Sequence, residues 1–185
     1  LFGGSFNPPH DGHAHVAELA LNRLKLDQVW WIVTPGNPLK DHSSLAPLAD
    51  RLDACLALAD DPKMKITAFE ADHAIRYTAD TLGLIRRRHP AVYFFWVMGA
   101  DNLGQFHKWD RWRYIAASMP IAVVDRPGST MSLHSAQAAQ ALAQFRKDEA
   151  DSSLLAGLKP PAWTFLHGPR NALSSTAIRR TRQTN

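Results

Sequence analysis

The chain has 185 residues, 45% of them apolar, and 21 Lys and Arg against 17 Asp and Glu give it a formal net charge of +4. That length and apolar content supply one substantial core and argue against disorder, and no apolar run approaches membrane-spanning length. The charge suits an anionic partner without choosing among nucleotide, nucleic acid and acidic membrane. The single cysteine, Cys55, excludes a disulfide framework and makes a reducing cytoplasm the default location. No basic stretch followed by an apolar run and a small-residue cleavage site is present, so no secretory signal is expected. The sequence opens at Leu1 without methionine and already inside a strand, so a few preceding residues are expected.

Leu1-Phe2 reads as the end of a first strand. Gly3-Gly4 follow, then a polar turn, Ser5-Phe6-Asn7-Pro8-Pro9, and then His10-Asp11-Gly12-His13 at the start of a helix. A strand, a Gly-rich turn and a helix in that order let bare backbone N–H groups approach a phosphate at the positive helix end. The turn also delivers two imidazoles, His10 and His13, spaced i,i+3. Neither G-x-G-x-x-G nor G-x-x-x-x-G-K-[ST] occurs, so a phosphate held here relies on histidines and backbone. His10, His13 and His15 could instead be read as metal ligands. The lack of HExxH, and of Cys or carboxylate at ligand spacing, argues against that, and no protein metal site is expected.

Val16, Leu19, Ala20 and Leu24 recur at helical spacing, giving a first helix over about 12–26. Residues 29–33, Val-Trp-Trp-Ile-Val, read as a strand buried on both faces. A loop rich in Pro, Ser and His runs to about Pro47. A second helix carries Leu48, Leu52, Cys55, Leu56 and Ala59, and 64–69 reads as a strand. A helix over 78–88 has Thr78 as its expected N-cap and Pro90 beyond its end. Its basic tail, Arg86-Arg87-Arg88-His89, complements the helix dipole and reads as a solvated last turn. Residues 92–98 form the strongest predicted strand, ending at Gly99-Ala100-Asp101. A turn or short helix over 103–109, a helix over 109–118, a buried strand over 121–124 and an Ala-rich helix over 132–147 follow. The stretch 147–161 reads as a polar surface loop, 162–166 as a last strand and 174–182 as a last helix.

Strands alternating with helices, with near-continuously apolar strand cores, indicate an α/β fold. It is a doubly wound parallel sheet in a single domain over 1–185, with its site outside the strands' carboxyl ends. Gly3 to His13, Lys40 and Asp101 all fall at such ends. So does Ser174-Ser175-Thr176, where free first-turn N–H groups suit an anion and Arg179 shares the face of Ser175. Taken alone, that segment reads rather as a capped, basic, solvent-facing helix.

The HxGH element, His10 to His13, with SSTxxR downstream, resembles the nucleotidyltransferase superfamily that uses this histidine motif. Within it GGSFNPPHxGH, a P-x-x-P-x-K loop (Pro35, Pro38, Lys40), YTADTL (Tyr77 to Leu82), GAD (Gly99 to Asp101), Trp109 and RPG (Arg126 to Gly128) resemble nicotinate-nucleotide adenylyltransferases, in the expected order over nearly the whole chain. The resemblance implies a Rossmann-like nucleotidyltransferase fold. It also implies transfer of the adenylyl group of ATP to nicotinate mononucleotide, giving deamido-NAD and pyrophosphate, with Mg²⁺ accompanying ATP. His10, His13, Lys40 and Arg179 would then act on the phosphates. Gly3, Gly4, Ser5, Phe6, Gly99, Asp101, Ser175 and Thr176 would bind ATP, and Asn7, Tyr77, Thr78 and Trp109 the acceptor. Asp101 would accept from a ribose hydroxyl or hold its loop, and an N-cap role serves it equally well. The expected partners are those two small molecules, with no nucleic acid and no membrane; a homo-oligomer stays open. Relatives commonly continue past SSTxxR with a further helix, whereas this sequence stops at Asn185. The alternatives are nicotinamide mononucleotide as the acceptor, a phosphopantetheine adenylyltransferase, and a non-catalytic nucleotide-binding module.

Overall fold

Alternate residues of each apolar run face opposite sides, and this places the helices. The computed structural model describes residues 1–39, 42–125 and 136–168. The strands are β1 (Phe2–Gly4), β2 (Val29–Val33), β3 (Met64–Thr67), β4 (Trp96–Gly99), β5 (Ile121–Val124), β6 (Arg146–Lys147) and β7 (Trp163–Leu166). They form one seven-stranded sheet in the order β3-β2-β1-β4-β5-β7-β6. Every neighbouring pair is parallel.

The helices are α1 (Asp11–Arg23), α2 (Leu48–Leu58), α3 (Phe69–Asp72), α4 (Thr78–Arg88), α5 (Ala100–Leu103), α6 (Trp112–Ser118) and α7 (Gln137–Ala141). Trp31, Val33, Val97, Ala122 and Val124 point to one face, where Val16, Ala17 and Ala20 of α1 and Cys55 of α2 cover them. Ile32, Trp96, Met98 and Val123 point to the other, beneath Leu82 and Ile85 of α4 and Ile115 of α6. A period of two along each strand thus feeds two separate cores, and the expected doubly wound α/β sheet results. The chain builds outward from β1 to β2 and β3, then returns to place β4 on β1's other side. Between β1 and β4 the winding reverses, and a crevice opens there at the strands' carboxyl ends.

Several boundaries differ from the sequence expectation. Pairing in the fourth strand begins at Trp96, whose N–H donates to the carbonyl of Pro120 at 2.9 Å. Tyr93, 80% exposed, and Val92 lie outside the sheet. The third strand stops at Thr67, whose Oγ1 accepts the N–H of Phe69 and turns the chain into α3. α1 ends at Arg23, and Lys25 adopts φ 53 just beyond. Helical structure expected over 132–147 is seen as α7 and a 3₁₀ turn, Ala143–Phe145, before the short β6. The 147–161 stretch holds a 3₁₀ segment, Glu149–Gly157, that packs Leu155 into the core and lets Ser152 Oγ donate to the carbonyl of Arg23. The helix expected over 174–182 lies outside the described residues.

Candidate active site

The crevice is a cleft of about 560 Å³, a size suited to small-molecule binding. Its wall includes Gly3, Gly4, Ser5, Phe6, Asn7, His13, Tyr77, Thr78, Gly99, Asp101 and Trp109, residues picked out from the sequence. His10 lies just behind, its ring centroid 4.0 Å from that of His13. Lys40, Ser175, Thr176 and Arg179 lie outside the described residues.

The first turn is shaped from below. A Cβ on Gly3 would stand 2.5 Å from the indole of Trp96, so only glycine allows this approach of β1 to β4's first side chain. Phe6 adopts a left-handed φ of 46. Its buried ring stacks on Trp31 with centroids 5.2 Å apart and meets Phe2 edge-on at 5.4 Å. Such a conformation costs a non-glycine residue about 1–2 kcal/mol, which burial of an aromatic ring offsets. Phe6 therefore contributes backbone to the cleft and side chain to the core. The Asn7 amide donates to the carbonyl of Ser44 at 2.8 Å and accepts from the N–H of Ala46 at 3.2 Å, tying the turn to the loop before α2.

His10 and His13 cap α1 as well as line its approach. Gly12 N–H donates to His10 Nδ1 at 3.1 Å, and His10 N–H donates to His13 Nδ1 at 3.2 Å. The N-cap and third helical positions thus satisfy one another, the reciprocal pattern usually built from Ser or Thr with Glu. The consequence is chemical. With each Nδ1 accepting, a neutral ring carries its proton on Nε2 as a donor.

Arg51 of α2 is 2% exposed. Its guanidinium donates to the carbonyls of Ala46, Ser5, Thr34 and Pro35, so one buried cation gathers the ends of the first two strands and the loop beyond. Burial lowers its pKa. Burial likewise pushes the neighbouring Cys55 thiol up to about 12.

Across the cleft, Tyr77 is the N-cap of α4 and Thr78 its first helical residue, so the cap falls one place earlier than the sequence suggests. Thr81 Oγ1 donates to Glu70 Oε1 at 2.9 Å and lies 3.3 Å from the carbonyl of Tyr77. Glu70 is 5% exposed. Burial raises its carboxyl pKa, and the hydroxyls of Thr34 and Thr81 draw it partly back. Trp109 packs edge-to-face on Trp96 at 6.0 Å and on Phe106 at 5.4 Å, which fixes its ring at the rim. Beside it Arg111 ion-pairs with both Asp80 and Asp110. Sequence reasoning missed Arg51, Glu70 and this acidic pair. Each reads as an ordinary polar helix or loop position, and only the fold brings its partners together.

The chain resembles known proteins in sequence and in fold. The family model described as cytidylyltransferase-like matches residues 1–181. A curated protein of Brucella abortus (strain 2308), named as a probable nicotinate-nucleotide adenylyltransferase, is 62% identical over 180 residues, covering 97% of this chain and 93% of its own. A protein of the same name from Mesorhizobium japonicum is 61% identical, covering 97% and 92%. Nicotinic acid mononucleotide adenylyltransferase of Plasmodium falciparum, solved in complex with NaAD, superposes with a TM-score of 0.71 over 97% of this chain and 80% of that one. At 18% identity that likeness speaks for the fold. The chain belongs to the cytidylyltransferase-like family and, within it, to the nicotinate-nucleotide adenylyltransferases.

Proposed function

We propose that this cleft joins ATP to nicotinate mononucleotide, forming nicotinate adenine dinucleotide and releasing pyrophosphate, a step of NAD biosynthesis. The observation that carries the reading is the histidine pair at the head of α1, whose Nδ1 atoms are both committed to the helix cap. An oxygen of the acceptor's 5′-phosphate attacks the α-phosphorus of ATP. The bond to the bridging oxygen breaks, and pyrophosphate leaves in line with both electrons of that bond. The reaction asks for alignment and charge stabilisation and needs no protein nucleophile.

In this reading His10 and His13 donate from Nε2 to the ATP phosphates, while Gly3, Gly4, Ser5 and Phe6 lend backbone to phosphate oxygens. Lys40, Arg179, Ser175 and Thr176 complete the triphosphate grip. Gly99 and Asp101 border the nucleoside. Trp109 stacks on the pyridine ring, and the α4 start at Tyr77 and Thr78 offers N–H groups and a hydroxyl to the nicotinate carboxylate, with Asn7 holding the intervening turn. Among the described residues no three His, Cys, Asp or Glu side chains gather as metal ligands. A Mg²⁺ accompanying ATP would be held by phosphate oxygens and water and would supply charge neutralisation on the pyrophosphate. Among the described residues no helix is long and apolar enough to cross a membrane. The reading places the enzyme in the cytoplasm with two small-molecule partners.

The test is pyrophosphate release with ATP and Mg²⁺, comparing nicotinate and nicotinamide mononucleotides. Turnover strongly favouring nicotinate is expected. Absence of turnover with either overturns the reading, and equal turnover overturns the carboxylate assignment alone.

A further inference from the structure

Arg111 heads α6 in a left-handed conformation, φ 48 and ψ 39. Glycine would adopt that geometry without strain, yet the position carries a long cation. Its guanidinium reaches two carboxylates on different elements. One nitrogen lies 2.8 Å from Asp80 Oδ1, in the first turn of α4 just after Tyr77 and Thr78, and Nε lies 2.6 Å from Asp110 Oδ2, adjacent to Trp109. The fork therefore spans the two walls of the half-cleft read above as the acceptor pocket.

We propose that Arg111 is a positioning residue for the acceptor, a brace from α4 to the Trp109 segment that sets the gap the pyridine ring enters. The inference rests on the proposed acceptor reading. Two observations support it. The guanidinium side chain is 49% exposed, so its ion pairs contribute little to overall stability, and their consequence is geometric. A planar fork fixes the mutual orientation of two carboxylates in a way an ammonium does not. Asp110 also lines the cleft. Pairing with Arg111 offsets a negative charge that would otherwise oppose an incoming nicotinate carboxylate.

Steady-state kinetics on the full chain tests this with Arg111→Gly, Arg111→Lys, Asp80→Asn and the Arg111→Gly/Asp80→Asn double variant. Turnover of the unaltered protein with nicotinate mononucleotide decides the underlying reading independently of the brace. Arg111→Gly relieves the backbone strain, so its melting temperature should stay near that of the parent. Its KM for nicotinate mononucleotide should rise roughly tenfold while KM for ATP holds. Asp80→Asn should raise the same KM, the double variant should add little, and Arg111→Lys should recover only part. An unchanged acceptor KM in Arg111→Gly overturns the brace. So does a parallel rise in both KM values with a lowered melting temperature, which would mark a merely structural residue.

Discussion

The two halves of the cleft are held by different physics. On the proposed phosphate side the fixing groups are buried: Arg51 under its four carbonyls, the Phe6 ring between Trp31 and Phe2, and two imidazoles locked into a helix cap. On the acceptor side, half-exposed ion pairs and an edge-packed indole at the rim do the fixing. Buried polar groups are costly to displace, whereas exposed pairs yield readily. The half proposed to handle the α-phosphorus is therefore rigid, and the half proposed to choose the acceptor can adjust. In-line displacement needs the first property, and admitting and releasing a dinucleotide benefits from the second.

The comparison breaks most directly at Arg51. Arg51→Met leaves several part-buried carbonyls without a donor and should cost about 3 kcal/mol, read from urea unfolding. A loss below about 1 kcal/mol would mean that solvent reaches those carbonyls and the phosphate half is not rigid. His13→Ala should lower kcat by roughly 10²–10³ with a far smaller change in KM, if the hydrogen bond proposed from its Nε2 to the ATP phosphates gains strength at the transition state. His10→Asn sharpens the point, because Asn caps helices well. That variant should keep its stability while losing turnover, and full activity in it would confine His10 to capping. Gly3→Ala drives a methyl into the Trp96 ring and should destabilise by about 1–3 kcal/mol; a neutral result would show that β1 and β4 can separate.

The smallest effect is expected at Glu70, which lies between the halves. Its folded pKa is raised, so the folded state holds its proton more tightly than the unfolded chain does. The stabilisation this gives is complete below the ordinary value of 4.5 and is lost as pH rises through the higher folded value. Glu70→Gln should flatten that part of the stability–pH curve. Unfolding titrations at a series of pH values would show an unaltered slope if Glu70 were not its source.

The sheet was legible because uninterrupted apolar runs such as Val29–Val33 and Ile121–Val124 have one good use, a strand covered on both faces. The first turn stood out as a candidate phosphate site because adjacent glycines and i,i+3 histidines are local signals. Residues 92–95 misled because apolarity reports what a segment can bury, not whether a neighbouring strand extends far enough to pair with it. The capping role of the histidines was hidden because imidazole is an unusual cap. Arg51 and the Asp80–Arg111–Asp110 link had no local signature. Each draws its partners from separate elements, and their meaning exists only after the chain has folded.

The buried Cys55 has a practical consequence. Its side chain is fully buried, burial pushes the thiol up to about 12, and it is the sequence's sole cysteine. Maleimides and iodoacetamides should leave the folded protein untouched. A cysteine introduced at exposed Tyr93, below the sheet and away from the cleft, would take a single dye. A second cysteine on the rim could then report by energy transfer how far the acceptor half moves during turnover.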